Sequence, residues 1–261
     1  MRDSTYKRVK EYLVQRGYPA VPDETYDHID EWLEGYQNDV DNGAVMTNQE
    51  RYKLGMAKTV CEDWANLLLN EKVAIKAGKY SKRLAEILNY NNFCVQGNRL
   101  IEKAFALGTG AFVEYLNADG QVIIDYIRAD MIYPLSWDNG DITECAFGTS
   151  KMLNGKEVIY LQMHRFGKVD DGEKTDQYYI ENIDAKSGKE IEAPEDIEEL
   201  VFTKSAEPLF QIITPNICNN IDLDSPLGVS VYANGIDEVK GCDLIYDSYM
   251  NEFVLGRKRI M

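Results

Sequence analysis

Histidine is the scarcest chemistry in this chain: 261 residues carry two, His28 and His164. His28 sits in an acidic run with Asp27, Asp30 and Glu31, which reads as a solvated helix face rather than a metal site. His164 falls in the strand-like stretch Tyr160–Phe166 and reads as an ordinary strand residue. The five cysteines (Cys61, Cys94, Cys145, Cys218, Cys242) stand singly, without zinc-ligand or redox spacing, and are expected to stay reduced. No apolar run approaches the ~20 residues that a membrane span needs, so no membrane partner is expected. Met1–Thr5 lacks the apolar core of a signal peptide, which makes an intracellular site of synthesis the default. A Gly-x-Ser-x-Gly elbow, a Cys/His pairing and kinase signatures are all missing. No catalytic residue, metal or cofactor is therefore expected.

Positive charge is short as well. The chain has 28 lysines and arginines against 44 aspartates and glutamates, a net charge of −16. Proteins that grip nucleic acid present cations to phosphate and gain affinity from counterion release. This balance argues against a conventional DNA-binding module, though not against a surface past which DNA slides without sticking. Carboxylates are so plentiful that pairs such as Glu62/Asp63 or Asp222/Asp224 are read as solvated or inter-element contacts. The one glycine-rich loop, Gly108-Thr109-Gly110, follows a predicted helix and precedes a strand, whereas phosphate-cradling loops run from strand into helix. It is read as a helix C-cap and tight turn.

The pattern along the chain is α+β: an N-terminal helical region, a central and mostly antiparallel sheet, then one long C-terminal helix. Helices occupy about residues 3–107. The first runs from Ser4 or Thr5 to near Gly17, and the second starts at Val21-Pro22-Asp23-Glu24 with Tyr26, Ile29, Trp32, Leu33 and Tyr36 on one face. After an Asp41-Asn42-Gly43 turn, Thr47-Asn48-Gln49-Glu50 is a capping box that opens a third helix through Leu54 to Leu68. Lys72–Ile75 reads as a short strand, and further helices cover Lys82–Asn89 and Phe93–Leu107. Strands occupy about 111–213. A hairpin joins Ala111–Leu116 to Gln121–Tyr126. Others lie near Ile142–Thr149, Val158–Phe166 and Gln177–Ile183, separated by turns such as Asp138-Asn139-Gly140 and Asn154-Gly155. Glu192–Glu199 reads as an exposed acidic loop, and Pro208–Ile213 as a buried strand.

From Ser225-Pro226 the spacing predicts a helix running to the terminus, with Asp224 or Ser225 as cap and Pro226 in its first turn. Tyr232, Ile236, Val239, Cys242, Tyr246, Tyr249 or Met250, and Phe253 recur in steps of three and four along one face. Asp237, Lys240, Asp247 and Asn251 fall on another. At about 1.5 Å per residue such a helix is roughly 45 Å long, more than one small domain covers. Arg257, Lys258 and Arg259 either contact phosphate or complement the dipole at the helix C-terminus.

Several stretches together resemble portal proteins, the head–tail connectors of long-tailed bacteriophages and prophages. Met56–Glu71 is similar to that family's early helix, and Ala106–Ala111 to its helix-to-sheet junction. Asp224–Asn234 and Tyr246–Phe253 resemble the entry to its first stem helix and the helix itself, and Gly256–Ile260 continues the match. The resemblance implies an N-terminal portion: a wing-like domain over 1–224 and the first stem helix over 225–261. It implies a ring of copies of the chain, typically twelve, at one capsid vertex of the virion, assembled in the bacterial host cytoplasm. Double-stranded DNA passes through the channel without sequence-specific binding, and terminase and head-completion proteins dock on the ring. On this reading Tyr232, Ile236, Val239, Tyr246, Met250 and Phe253 are stem or subunit contacts. Asp237, Asp243 and Asp247 face the channel, and Arg257, Lys258 and Arg259 lead towards a clip. Family members continue into a clip, a second stem helix, a channel loop and a crown, so the end at Met261 reads as truncation. The stem helix is then expected to find a substitute partner, such as another copy of itself. Two other readings stay open: a non-viral oligomeric scaffold or adaptor docking by its C-terminal helix, and an acidic hydrolase.

Overall fold

A computed structural model describes residues 3–37, 52–70, 72–117, 119–153, 155–168, 174–184, 200–202 and 207–257. The Asp41–Gly43 turn, the Thr47–Glu50 capping box, the Glu192–Glu199 loop and Lys258–Met261 lie outside the described residues. The layout is α+β, as the hydrophobic periodicity predicts. Helices α1 (Asp3–Gln15) and α2 (Asp23–Gln37) lead into α3 (Met56–Leu68), α4 (Ser81–Tyr90) and α5 (Phe93–Leu107). Strands β1 (Gly110–Leu116) and β2 (Val122–Arg128) form the expected hairpin. β3 (Ile132–Asp138), β4 (Asp141–Leu153), β5 (Lys156–Lys168), β6 (Lys174–Asp184), β7 (Leu200–Phe202) and β8 (Phe210–Ile213) follow, then α6 (Ile236–Arg257).

Two sheets replace the single one expected, and every described pairing is antiparallel. β2, β1 and β8 make one, with β1 in the middle; β3 to β7 make the other in sequence order. β3 is missing from the sequence prediction because Pro134 cannot donate to a ladder. Its place on the sheet edge, beside register shifts at Ser136, resolves that conflict. β8 is a half-buried edge strand rather than a fully buried one.

Three other expectations change. The third helix begins at Met56, after Gly55 in a left-handed conformation, and Tyr52–Leu54 is not helical. Lys72–Ile75 forms no strand; residues 73–77 have no regular pairing. The last helix begins at Ile236, about ten residues later than Pro226 suggests, after a single 3-10 turn at Ala233–Gly235. At 22 residues it is roughly 33 Å long.

The late start has a packing cause. Residues 226–232 are drawn into the core, where Leu227, Val229 and Tyr232 are buried beside α2 residues Ile29, Trp32 and Leu33 and the sheet residues Phe147, Leu161 and Met163. This segment lies against the α5–β1 junction. Gly228 N–H donates to Thr109 Oγ1 (2.9 Å), and Val231 N–H to the Phe105 carbonyl (3.0 Å). The Tyr232 hydroxyl donates to the Trp32 carbonyl at 2.5 Å. Gly108 ends α5 with φ +82°, the C-cap role predicted for this loop. A Cβ on Gly108 would stand 2.5 Å from the Gly228 oxygen, and one on Gly228 would stand 2.2 Å from the Gly108 oxygen. Two backbones touch there with no room for a side chain.

Gly108→Ala combines a left-handed backbone with that overlap. It is expected to destabilise the fold by at least about 2 kcal/mol, read as a lowered urea midpoint. Gly120→Ala, at a turn with the same hand but open space around it, should cost less.

Candidate functional site

The candidate site is an assembly surface built on α6. The helix is held at its first two turns: Ile236 and Val239 pack against the core, and Lys240 pairs with Glu31 of α2 at 2.6 Å. A second tether comes from the chain ahead of α3. Leu54 N–H donates to Asp243 Oδ1 (2.8 Å), and Tyr52 N–H to Asp247 Oδ1 (3.0 Å). Two carboxylates one turn apart thus strap a backbone segment antiparallel to the helix.

Beyond these tethers the helix is apolar around most of its circumference. Leu244, Ile245, Tyr249, Phe253, Val254 and Leu255 are all exposed, Ile245 at 71%. Tyr249 and Phe253 pack edge to face on each other at 4.7 Å, one turn apart. A helix with apolar residues on every side belongs inside a larger assembly. No described helix is long and apolar enough to cross a membrane. Gly241 and Gly256 face open space.

The sequence-derived site residues therefore divide. Tyr232 lies outside the helix, buried within its own chain. Ile236 and Val239 serve the intrachain core. Tyr246 and Met250 are half-buried and Phe253 is exposed, so the free part of the apolar face starts near Tyr246. Asp237 is exposed, whereas Asp243 and Asp247 accept backbone hydrogen bonds. Arg257 closes α6, its side chain outside the described residues, as are Lys258 and Arg259. The straps escaped the sequence reading because they join residues 189 and 195 positions apart, and no local signal marks such a pair.

A second exposed surface lies on α3. Ala57, Cys61 and Ala65 are buried, while Met56, Val60, Trp64, Leu67 and Leu68 face outwards, Leu67 at 74%. Beneath it is a polar cluster. Glu102 of α5 is buried, receives the Tyr36 hydroxyl at 2.5 Å and pairs with Lys58 at 2.7 Å; Lys58 also reaches Glu62. Burial lowers the Lys58 ammonium, but hydrogen bonds to Glu102 and Glu62 outweigh it and hold Lys58 above its ordinary value. Burial, then the Glu102 charge, pushes the Cys61 thiol up to about 12. Burial and the Glu102 hydrogen bond raise Tyr36 likewise.

Cavities on the described surface include two beside the 219–228 segment. One of about 250 Å³ lies between α2 and residues 219–228 and includes His28; one of about 500 Å³ lies between 140–142 and 207–228. The groups with displaced pKa values are tyrosines, cysteines and lysines, and none of them lines either cavity. Among the described residues, these two cavities therefore bring no such groups together. Nor do the described residues gather three or more His, Cys, Asp or Glu around a metal position. His164 is buried between the rings of Phe147 and Phe210. Asp222 receives the Asp224 N–H within a loop.

For Cys61, Tyr36 and Lys58 the fold favours the protonated form. Their contribution is whole below the unfolded pKa values and is lost as pH rises towards the folded ones. Stability should thus decline from about pH 9, the ordinary thiol value, and further beyond 10 to 10.5. Urea unfolding between pH 7 and 11 reads this, and Cys61→Ala should remove the earliest part of the decline.

A search of curated proteins finds no match. The family model for phage portal protein, SPP1 Gp6-like, matches residues 18–261, which takes in α2 through α6 and both sheets. An α+β body and an anchored helix with an apolar free end accord with that match: the chain belongs to the phage portal protein family, and its role is structural.

Proposed function

We propose that residues 1–224 are the wing of a portal ring and that 225–261 carry its first stem helix, with α6 as the ordered span. The observation that carries this is α6 itself, tied to the body between Ile236 and Asp247 and exposing apolar side chains from Leu244 onwards. A helix of that kind gains most of its burial from neighbouring copies. The ring, of twelve copies in the family reading, stands at the capsid vertex, takes terminase and head-completion proteins as partners, and lets double-stranded DNA through.

Asp237 is the carboxylate best placed to face the channel, since it is exposed and, among the described residues, takes no part in an ion pair. Asp243 and Asp247 each accept a backbone N–H through one oxygen. Together they make a wall that repels phosphate instead of binding it. Arg257, Lys258 and Arg259 mark the way towards a clip.

Light scattering and negative-stain imaging of the purified protein should give closed rings with a central hole; compact monomers at every concentration would overturn the assignment. Asp237→Asn combined with Asp247→Asn, which keeps an acceptor for Tyr52 N–H, should leave rings intact but change DNA retention in packaged particles. Unchanged retention would remove these carboxylates from the channel wall.

A further inference from the structure

Charge on this chain is unevenly spread. Residues 72–83 hold Lys72, Lys76, Lys79, Lys82 and Arg83 and no carboxylate, which leaves the rest of the chain at −21 against its overall −16. All five cations are exposed, and among the described residues none has an ion-pair partner. Three lysines elsewhere differ: Lys10, Lys58 and Lys240 are each paired within the chain. The segment also exposes Val73, Ile75 and Tyr80, and it follows in sequence on α3, where Trp64 and Leu67 are exposed.

Such an arm, basic and apolar together, needs a partner that is acidic and apolar together. Phosphate alone satisfies the lysines and leaves Val73, Ile75 and the α3 face in water. The complementary surface is on the same protein. Beside its exposed apolar residues α6 carries Glu238 and Glu252, exposed and without ion-pair partners among the described residues. We infer that the arm formed by α3 and residues 72–83 receives α6 of a second copy, with Lys76, Lys79 and Lys82 meeting the carboxylates around an apolar centre. The contact joins two different surfaces and is therefore heterologous, the kind that closes into rings. Charged rims of this sort set register and exclude wrong partners, while the apolar centre supplies burial. This rests on the ring reading above and specifies which faces meet.

The test mixes unlabelled and nitrogen-15-labelled chain and applies zero-length carbodiimide crosslinking, which joins a lysine to a touching carboxylate. Mixed-isotope peptides linking Lys76, Lys79 or Lys82 to Glu238 or Glu252 are the expected product. The triple variant Lys76→Glu, Lys79→Glu, Lys82→Glu should lose the assembled fraction about tenfold at low ionic strength. Its circular dichroism and melting should match the parent, because the three side chains are exposed. Adding Glu238→Lys and Glu252→Lys to the triple variant should restore assembly. Rings that persist in the triple variant, without these crosslinks, overturn the contact and leave the portal assignment standing. A chain that neither assembles nor crosslinks between copies overturns the ring reading and this contact together. Duplex DNA retained by the parent and lost by the triple variant, with assembly unchanged, assigns the arm to phosphate and overturns the contact.

Discussion

Two glycine backbones in contact set the geometry of this protein. Gly108 and Gly228 lie 120 positions apart, and each occupies space in which a side chain on the other would have to sit. Around them Thr109 and Phe105 bind the backbone of 228–231. Because that segment is fixed to the end of α5, Leu227 and Val229 fill the core and Tyr232 reaches the carbonyl of Trp32. Only then can a helix start. The point at which α6 leaves the body is thus decided by a contact far from α6 in both sequence and chemistry.

The anchored and free parts of α6 follow different rules. Up to Lys240 its side chains satisfy the chain's own core and the α2 carboxylate Glu31. From Leu244 onwards the sequence contains far more apolar surface than the described fold covers. A structural protein that acts as a ring member needs this division, since a helix fully satisfied by its own chain has nothing to offer a neighbour. The net charge of −16 fits the same role, since a surplus of carboxylates disfavours binding to phosphate.

Local pattern carried much of the fold. Phe93–Leu107 is read as a helix with the bounds the structure gives it, because its apolar spacing and the following Gly108 agree. The β1–β2 hairpin was equally clear, with alternating residues on both sides of a turn. What failed was local signal overruled by tertiary packing. Ser225-Pro226 has the chemistry of a helix start, yet burying Leu227 and Val229 is worth more than capping a helix there. Pro134 hid β3 for the opposite reason, a poor local signal rescued by an edge position. Of the site, the apolar character of α6 was legible. The straps from Tyr52 and Leu54 and the Glu102 cluster were not, since each joins residues that only the folded chain brings together.

Gly241 and Gly256 give α6 one more property. Neither touches anything that a methyl group would disturb, and each leaves the helix roughly 1 kcal/mol weaker than alanine would. Gly241 stands between the two tethers, after Lys240 with its α2 partner and before Asp243, which holds the segment ahead of α3. The helix is softest where it passes from the first anchorage to the second. Its exit angle is then a compliant joint, one that neighbours can set without strain reaching the body, so identical copies can adjust to one another as a ring closes.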